Sequence, residues 1–176
     1  AIDVLIRSQA LNGLMDERFT GLKHFWSSII IERPKTKKKL NEKILEYADE
    51  GDFSKEEKID YLSSLTGMFP LDMILSDETR RKLDDQCIPS ISEYDPMVPV
   101  CWFIAREVIK KTSKNGRDYF VVNVIDDTSK ATTIRCWNVK PSDEIQVNKP
   151  YMANLKYDPN WGFSTYSIKQ NFRILP

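Results

Sequence analysis

The stretch that decides the fold runs Val108-Ile109-Lys110-Lys111-Thr112-Ser113-Lys114-Asn115-Gly116-Arg117-Asp118-Tyr119-Phe120-Val121-Val122-Asn123-Val124-Ile125. Two β-branched and aromatic runs flank a short polar turn. Asn-Gly is the strongest short-range hairpin signal, because both residues tolerate positive φ. Asp126-Asp127-Thr128-Ser129 reads as a second turn. Thr132–Trp137 then alternates cleanly. Thr132, Ile134 and Cys136 share one face of this strand, and Thr133, Arg135 and Trp137 share the other.

Reading outward, Trp102–Lys110 supplies the first strand and Tyr119–Ile125 the second. Pro141-Ser142-Asp143-Glu144-Ile145 is expected to form a helical turn. Tyr151–Tyr157 reads as a fourth strand, Asp158-Pro159-Asn160-Trp161-Gly162 as a turn, and Phe163–Ile168 as a fifth, with Phe172–Leu175 extending it. Three strands, a short connection and two more strands outline a five-stranded OB-fold β-barrel. The same pattern also fits an SH3-like barrel.

OB-folds bind single strands through a basic groove with stacking aromatics, and the residue types for this are present. Arg106, Lys110, Lys111, Lys114 and Arg117 cluster on the first hairpin. Arg135 and Trp137 project from the third strand, and Lys156 and Trp161 lie on and beyond the fourth. Trp161, in a polar turn beside Gly162, is the aromatic most expected to be exposed. Phe103, Tyr119 and Phe120 read as core more than as stacking platform. The hairpin lysines also read as solubilising edge charges.

The composition changes near residue 97, within the proline-bearing stretch Ile88–Pro99. Residues 1–96 hold 14 Lys+Arg against 19 Asp+Glu, and residues 97–176 hold 12 against 7. We therefore expect an α+β chain, with a helical region over 1–96 and an OB-fold nucleic-acid-binding domain over 97–176. In the first part, Ile2, Leu5 and Ile6 give a short helical face, stopped by Asn12-Gly13. Asp16 is placed to cap the next helix, whose stripe is Phe19, Leu22, Phe25, Trp26 and Ile29, with Pro34 at its end. His24 reads as a plain helix residue. Lys35–Lys39 is a basic run that reads as a solvated loop and first turn, with a phosphate contact as the alternative, and a helix follows over about 38–49. Ser54-Lys55-Glu56-Glu57 has capping-box form. Asp77–Leu83 suits a short helix, acidic first and basic last.

The whole chain has 176 residues, 41% of them hydrophobic, with 26 Lys+Arg balancing 26 Asp+Glu. That is enough apolar surface for a core, so general disorder is excluded. No 18-residue apolar run is present, so no membrane span is expected. Cys87, Cys101 and Cys136 are far apart, and His24 is the single histidine. No metal site, cofactor or catalytic constellation follows from these residues. Asp126-Asp127 is the one tempting carboxylate pair, and a turn explains it. The chain opens at Ala1 without Met, which suggests a fragment, and an odd cysteine count without a basic–apolar leader fits a reducing cytoplasm.

Several segments together resemble a known family. Ala1-Ile2-Asp3-Val4-Leu5-Ile6-Arg7-Ser8-Gln9-Ala10-Leu11-Asn12-Gly13-Leu14 is similar to the "aLIkaGAfDsl" segment of the alpha subunit of bacterial DNA polymerase III. Glu57–Ser63, leading to Phe69-Pro70-Leu71-Asp72, is similar to its "E…lGfylSgHPLd" segment. Val108–Gly116 with Tyr119–Asp127 resembles its OB-domain opening, "V…rrtkkGkpmafvtleDetG", and Ile134–Trp137 resembles the "vvvF" strand after it. Order and spacing agree along nearly the whole chain. Gln9 stands where the family prefers Gly, Phe69 where it has His, Ser64–Thr66 is an insertion, and Thr128-Ser129 replaces Thr-Gly. The resemblance therefore implies a divergent member, carried by a phage or another mobile element.

The resemblance also implies a place within a larger DNA-directed DNA polymerase, a nucleotidyltransferase, after its palm, fingers and helix-hairpin-helix. The family's catalytic aspartates lie upstream, so this stretch is expected to have no polymerase activity. Its expected task in DNA replication is to hold single-stranded template DNA. The alternative is a protein-interaction module docking another replisome protein, with acidic Glu42–Asp60 facing a basic partner. A synthetase-type anticodon-binding OB domain is a further relative, distinguished by RNA preference.

Overall fold

A computed structural model describes residues 2–67 and 69–176. Ala1, which opens the first family-like segment, and Met68 lie outside the described residues. Two compact units divide the chain, Ala1–Pro70 and Leu71–Pro176. The change from helix to sheet falls later, since the first strand begins at Val100. Residues 71–96 thus belong by packing to the unit that holds the sheet.

The first unit carries α1 (Ile2–Arg7), α2 (Leu22–Phe25), α3 (Lys37–Glu46) and α4 (Lys55–Thr66). A π turn, Trp26–Ile31, prolongs α2, and the chain leaves it through Arg33 at φ 48 before Pro34. Ile6, Leu22 and Phe53 are the buried centre, with Phe25, Trp26 and Tyr61 packed around them. The Ser54 capping box is complete: Ser54 Oγ accepts from the Glu57 amide at 3.1 Å, and Glu57 Oε2 accepts from the Ser54 amide at 2.8 Å. At the far end of α4, Gly67 takes the left-handed conformation, φ 68, that lets the chain turn away.

Asp16 does not cap α2. Its carboxylate accepts instead from the Arg18 amide at 3.0 Å, and the position before α2 is Gly21, with no side-chain cap. Gly21 is there for space, because its backbone lies against that of Gly51 and Asp52. His24 is fully buried. Thr20 N–H donates to its Nδ1 at 3.1 Å, and its Nε2 donates to Ile44 O at 2.8 Å, tying α2 to α3.

The second unit opens with α5 (Leu71–Ile74) and α6 (Asp77–Asp85). Ser76 Oγ caps α6 by accepting from the Thr79 amide at 3.2 Å. A curled, half-barrel sheet follows: β1 (Val100–Thr112), β2 (Asp118–Ile125), β3 (Thr132–Trp137), β4 (Lys149–Asn154), β5 (Lys156–Asp158), β6 (Gly162–Tyr166), α7 (Ile168–Asn171) and β7 (Phe172–Ile174). The sheet order is β5-β6-β3-β2-β1-β4-β7. β3 pairs with β6 in parallel, and the other pairings are antiparallel.

The chain is therefore α+β, as expected, but the sheet has seven strands where five are expected. Two departures account for the difference. The expected fourth strand breaks at Leu155, which is fully buried and whose amide donates to Pro99 O at 2.8 Å. Its first half pairs with β1 and its second with β6. The expected last strand is interrupted by α7, and β7 returns to pair with β4. The Pro141–Ile145 connection is a turn without helix.

The core follows from the two-residue period. Cys101, Phe103, Ala105, Val122, Val124, Ile134, Cys136, Tyr151, Ala153 and Leu155 point inward. Burial pushes the thiols of Cys101 and Cys136 up to about 12. A bulge between Ala105 and Glu107 keeps both halves of the long β1 in phase with that core.

Candidate nucleic-acid interface

Inward packing of Val122, Ile134 and Cys136 sends their neighbours to the outer face, and pairing sets those neighbours side by side. Lys111 stands opposite Tyr119, Tyr119 stacks on Trp137, and Trp137 stands opposite Tyr166. One row across four strands is thus Lys111–Tyr119–Trp137–Tyr166. The next runs Ile109–Val121–Arg135–Ser164–Lys156. An aromatic row with a lysine at its end lies beside a row holding Arg135 and Lys156, about 7 Å further along the strands.

The aromatic rings differ in exposure. Tyr119 and Trp137 are half-buried, their centroids 4.6 Å apart and their planes 27° apart. Tyr166 is 59% exposed.

Two turns border the face. At 113–117, the Gly116 amide donates to Ser113 O at 2.9 Å and the Ser113 amide to Arg117 O at 2.8 Å. Gly116 takes φ 72, so this is a three-residue loop closed by a left-handed glycine. Lys114 and Arg117 are exposed on it. The turn at 158–162 is built alike, with Gly162 also at φ 72. Asp158 Oδ1 accepts from the Asn160 amide at 2.8 Å and the Trp161 amide at 3.0 Å. Trp161 is 70% exposed, as expected. Arg135 Nη1 donates to the Trp161 carbonyl, which ties this turn to the face.

Seven of the nine residues singled out from the sequence lie on this face or on the turns at its two ends: Lys111, Lys114, Arg117, Arg135, Trp137, Lys156 and Trp161. Two do not. Arg106 is the bulge residue of β1, and its Nη1 donates to Asn148 Oδ1 near the start of β4. Lys110 pairs across with Phe120, on the core side of the sheet, and its ammonium lies 2.6 Å from Asp118 Oδ2. That ion pair holds the Asp118 carboxyl below the usual carboxylate range.

Tyr119 and Tyr166 join the face unexpectedly. Tyr119 was readable, since it is out of phase with Phe120, Val122 and Val124. Tyr166 was not, because its place beside Trp137 depends on the parallel β3–β6 pairing.

Asp126 serves the scaffold. It is buried, and accepts from the Ser92 amide at 2.8 Å, the Thr128 amide at 3.0 Å and Thr128 Oγ1 at 2.6 Å. Burial alone would raise its pKa, but these hydrogen bonds outweigh burial and hold it below the ordinary value. Among the described residues, no cluster of His, Cys, Asp and Glu is arranged to hold a metal ion. Among them, no helix is long and apolar enough to cross a membrane. In comparisons with known proteins, no family model matches the chain, and no curated sequence matches it.

Proposed function

We propose that the sheet unit is an OB-fold that binds single-stranded nucleic acid, and that it serves as the template-holding module of a replicative polymerase of the polymerase III alpha type. The observation that carries the binding reading is the outer face, where Tyr119, Trp137 and Tyr166 form one row beside Arg135 and Lys156. Bases stack on aromatic faces whatever their sequence, while cations follow the phosphates. The replicative assignment rests on the resemblance of the segments quoted above.

Topology supports the OB reading. If β4 and β5 are one strand bent at Leu155, that strand pairs with β1 at one end and β6 at the other. The circuit β1-β2-β3-β6-(β5/β4)-β1 is then closed, with a parallel β3–β6 pair. A long bulged β1 shared between β2 and β4 suits the same arrangement.

Fluorescence-anisotropy titration of a labelled 20-nucleotide single strand tests the reading, with duplex and RNA controls at two salt concentrations. Binding should favour single-stranded DNA and weaken with salt, by about 0.7 in log–log slope per phosphate contact. A flat salt dependence, or no binding at low salt, would sink it and leave protein docking as the next hypothesis. A preference for RNA would favour the anticodon-binding relative.

A further inference from the structure

The hairpin of β5 and β6 has two faces, and the interface uses one of them. Lys156 and Ser164 belong to the outer face. Tyr157 and Phe163, the next cross-strand pair, point to the other side. There they meet Tyr94 in a three-ring cluster: Tyr94–Phe163 centroids are 5.1 Å apart, Tyr157–Phe163 4.9 Å and Tyr94–Tyr157 6.4 Å. These rings, with Pro96, Thr132 and Lys130, line an open pocket of about 470 Å³. That size lies in the ~300–1,000 Å³ range of small-ligand sites.

The cluster is fixed on one side and free on the other. Tyr94 Oη donates to Leu155 O at 2.9 Å, which anchors its ring at the bend between β4 and β5. Tyr157 remains 52% exposed. The charge in the lining is that of Lys130, and among the described residues no carboxylate lines the pocket. The neighbouring cavity beside α6 differs, since Asp84, Glu93 and Asp127 line it. Aromatic walls with one cation and no anion suit a planar base carrying a phosphate. Lys156 and Tyr157 are neighbours on β5, which ends the sheet order, so a strand that passes round this edge joins the basic row to the pocket.

We propose that this pocket is a second nucleobase site, taking one unstacked base of the bound strand against Tyr157 while Lys130 meets its phosphate. The proposal rests on the single-strand reading above and adds a position-specific contact to it.

The test uses the full chain and 15-nucleotide oligothymidylates, each with a single 2-aminopurine at a different position. One position should show fluorescence quenching beyond its neighbours. Tyr157→Ala should abolish that quenching and weaken binding about five- to tenfold. Tyr157→Phe should restore both, and Lys130→Ala should weaken binding without removing the quench. Trp137→Ala should weaken binding while leaving the position-specific quench. If Trp137→Ala weakens binding but Tyr157→Ala and Lys130→Ala change neither signal, the outer face stands and the pocket proposal falls. If the wild type binds no oligonucleotide, both fall. Perturbation of the Tyr94 and Tyr157 resonances by a proline-rich peptide, but not by DNA, would reassign the pocket to protein. Melting temperatures of each variant separate lost contact from lost fold.

Discussion

Trp137 on β3 stacks against Tyr119 on β2, with centroids 4.6 Å apart and planes 27° apart. The pair does two jobs whose energies can be separated. As a cross-strand aromatic pair it stabilises the sheet by about 0.5–1.5 kcal/mol beyond area burial. As a platform it offers a base a flat partner worth about 1–3 kcal/mol. Trp137→Ala should therefore lower single-strand affinity about 5- to 150-fold and stability by about 1–3 kcal/mol. Anisotropy and urea denaturation, run together, measure the two. A stability loss with unchanged affinity would make the pair purely structural.

Lys110 and Lys111 are adjacent in sequence and opposite in face. Lys111 ends the aromatic row. Lys110 lies on the core side with Asp118 beside it. Lys111→Ala should weaken binding and reduce the salt slope by about 0.7, the share of one phosphate. Lys110→Ala should change affinity by less than about twofold, because an exposed ion pair adds about 0–1 kcal/mol to stability and nothing to this face. Equal effects of the two substitutions would place the DNA off the outer face.

How far these features were readable depended on how local their causes are. The alternation of Thr132–Trp137 sorted Trp137 and Arg135 from Ile134 and Cys136 correctly, because a half-buried strand imposes a strict two-residue period. Asn115-Gly116 marked its turn, and Ser54 with Glu57 marked their helix start, because each is decided within four residues. The break at Leu155 was hidden. Its amide goes to Pro99, far away in the chain, so nothing adjacent signals it. The bulge at Arg106 was hidden likewise, and without it Arg106 reads as one more groove cation. Gly21 displaced Asp16 at the start of α2 for a tertiary reason, the Gly51 backbone, that no helix-start rule contains.

Asp126 predicts an acid sensitivity of the sheet unit. Its folded pKa is held below its unfolded one by hydrogen bonds from Ser92 and Thr128. A group shifted in this direction contributes stability that is present above the unfolded value, about 3.9. That contribution is lost as pH falls through the folded value. Asp126→Asn should remove this part of the pH dependence and cost about 1–3 kcal/mol at neutral pH, since an amide cannot accept all three bonds at full strength. Urea denaturation at pH 7 and pH 3 measures it. The two proteins should differ less at pH 3 than at pH 7, and an equal gap at both would remove Asp126 from the acid response.

Gly21 and Gly51 predict a steric limit in the helical unit. The His24 amide donates to Gly51 O at 3.0 Å, which draws the two backbones together. A methyl group on Gly21 would sit 2.4 Å from that oxygen and 2.6 Å from the Asp52 amide nitrogen. Backbone atoms cannot rotate aside as a side chain would, so the contact must open. Gly21→Ala should therefore destabilise the unit by about 1–3 kcal/mol, although its extended φ suits alanine. The opened contact would also weaken the His24 amide bond. Amide hydrogen exchange should show His24 less protected in the variant, while the exchange of Val122 and Ile134 in the sheet unit stays as in the wild type. A wild-type melting temperature with unchanged His24 protection would show that the segment yields without cost.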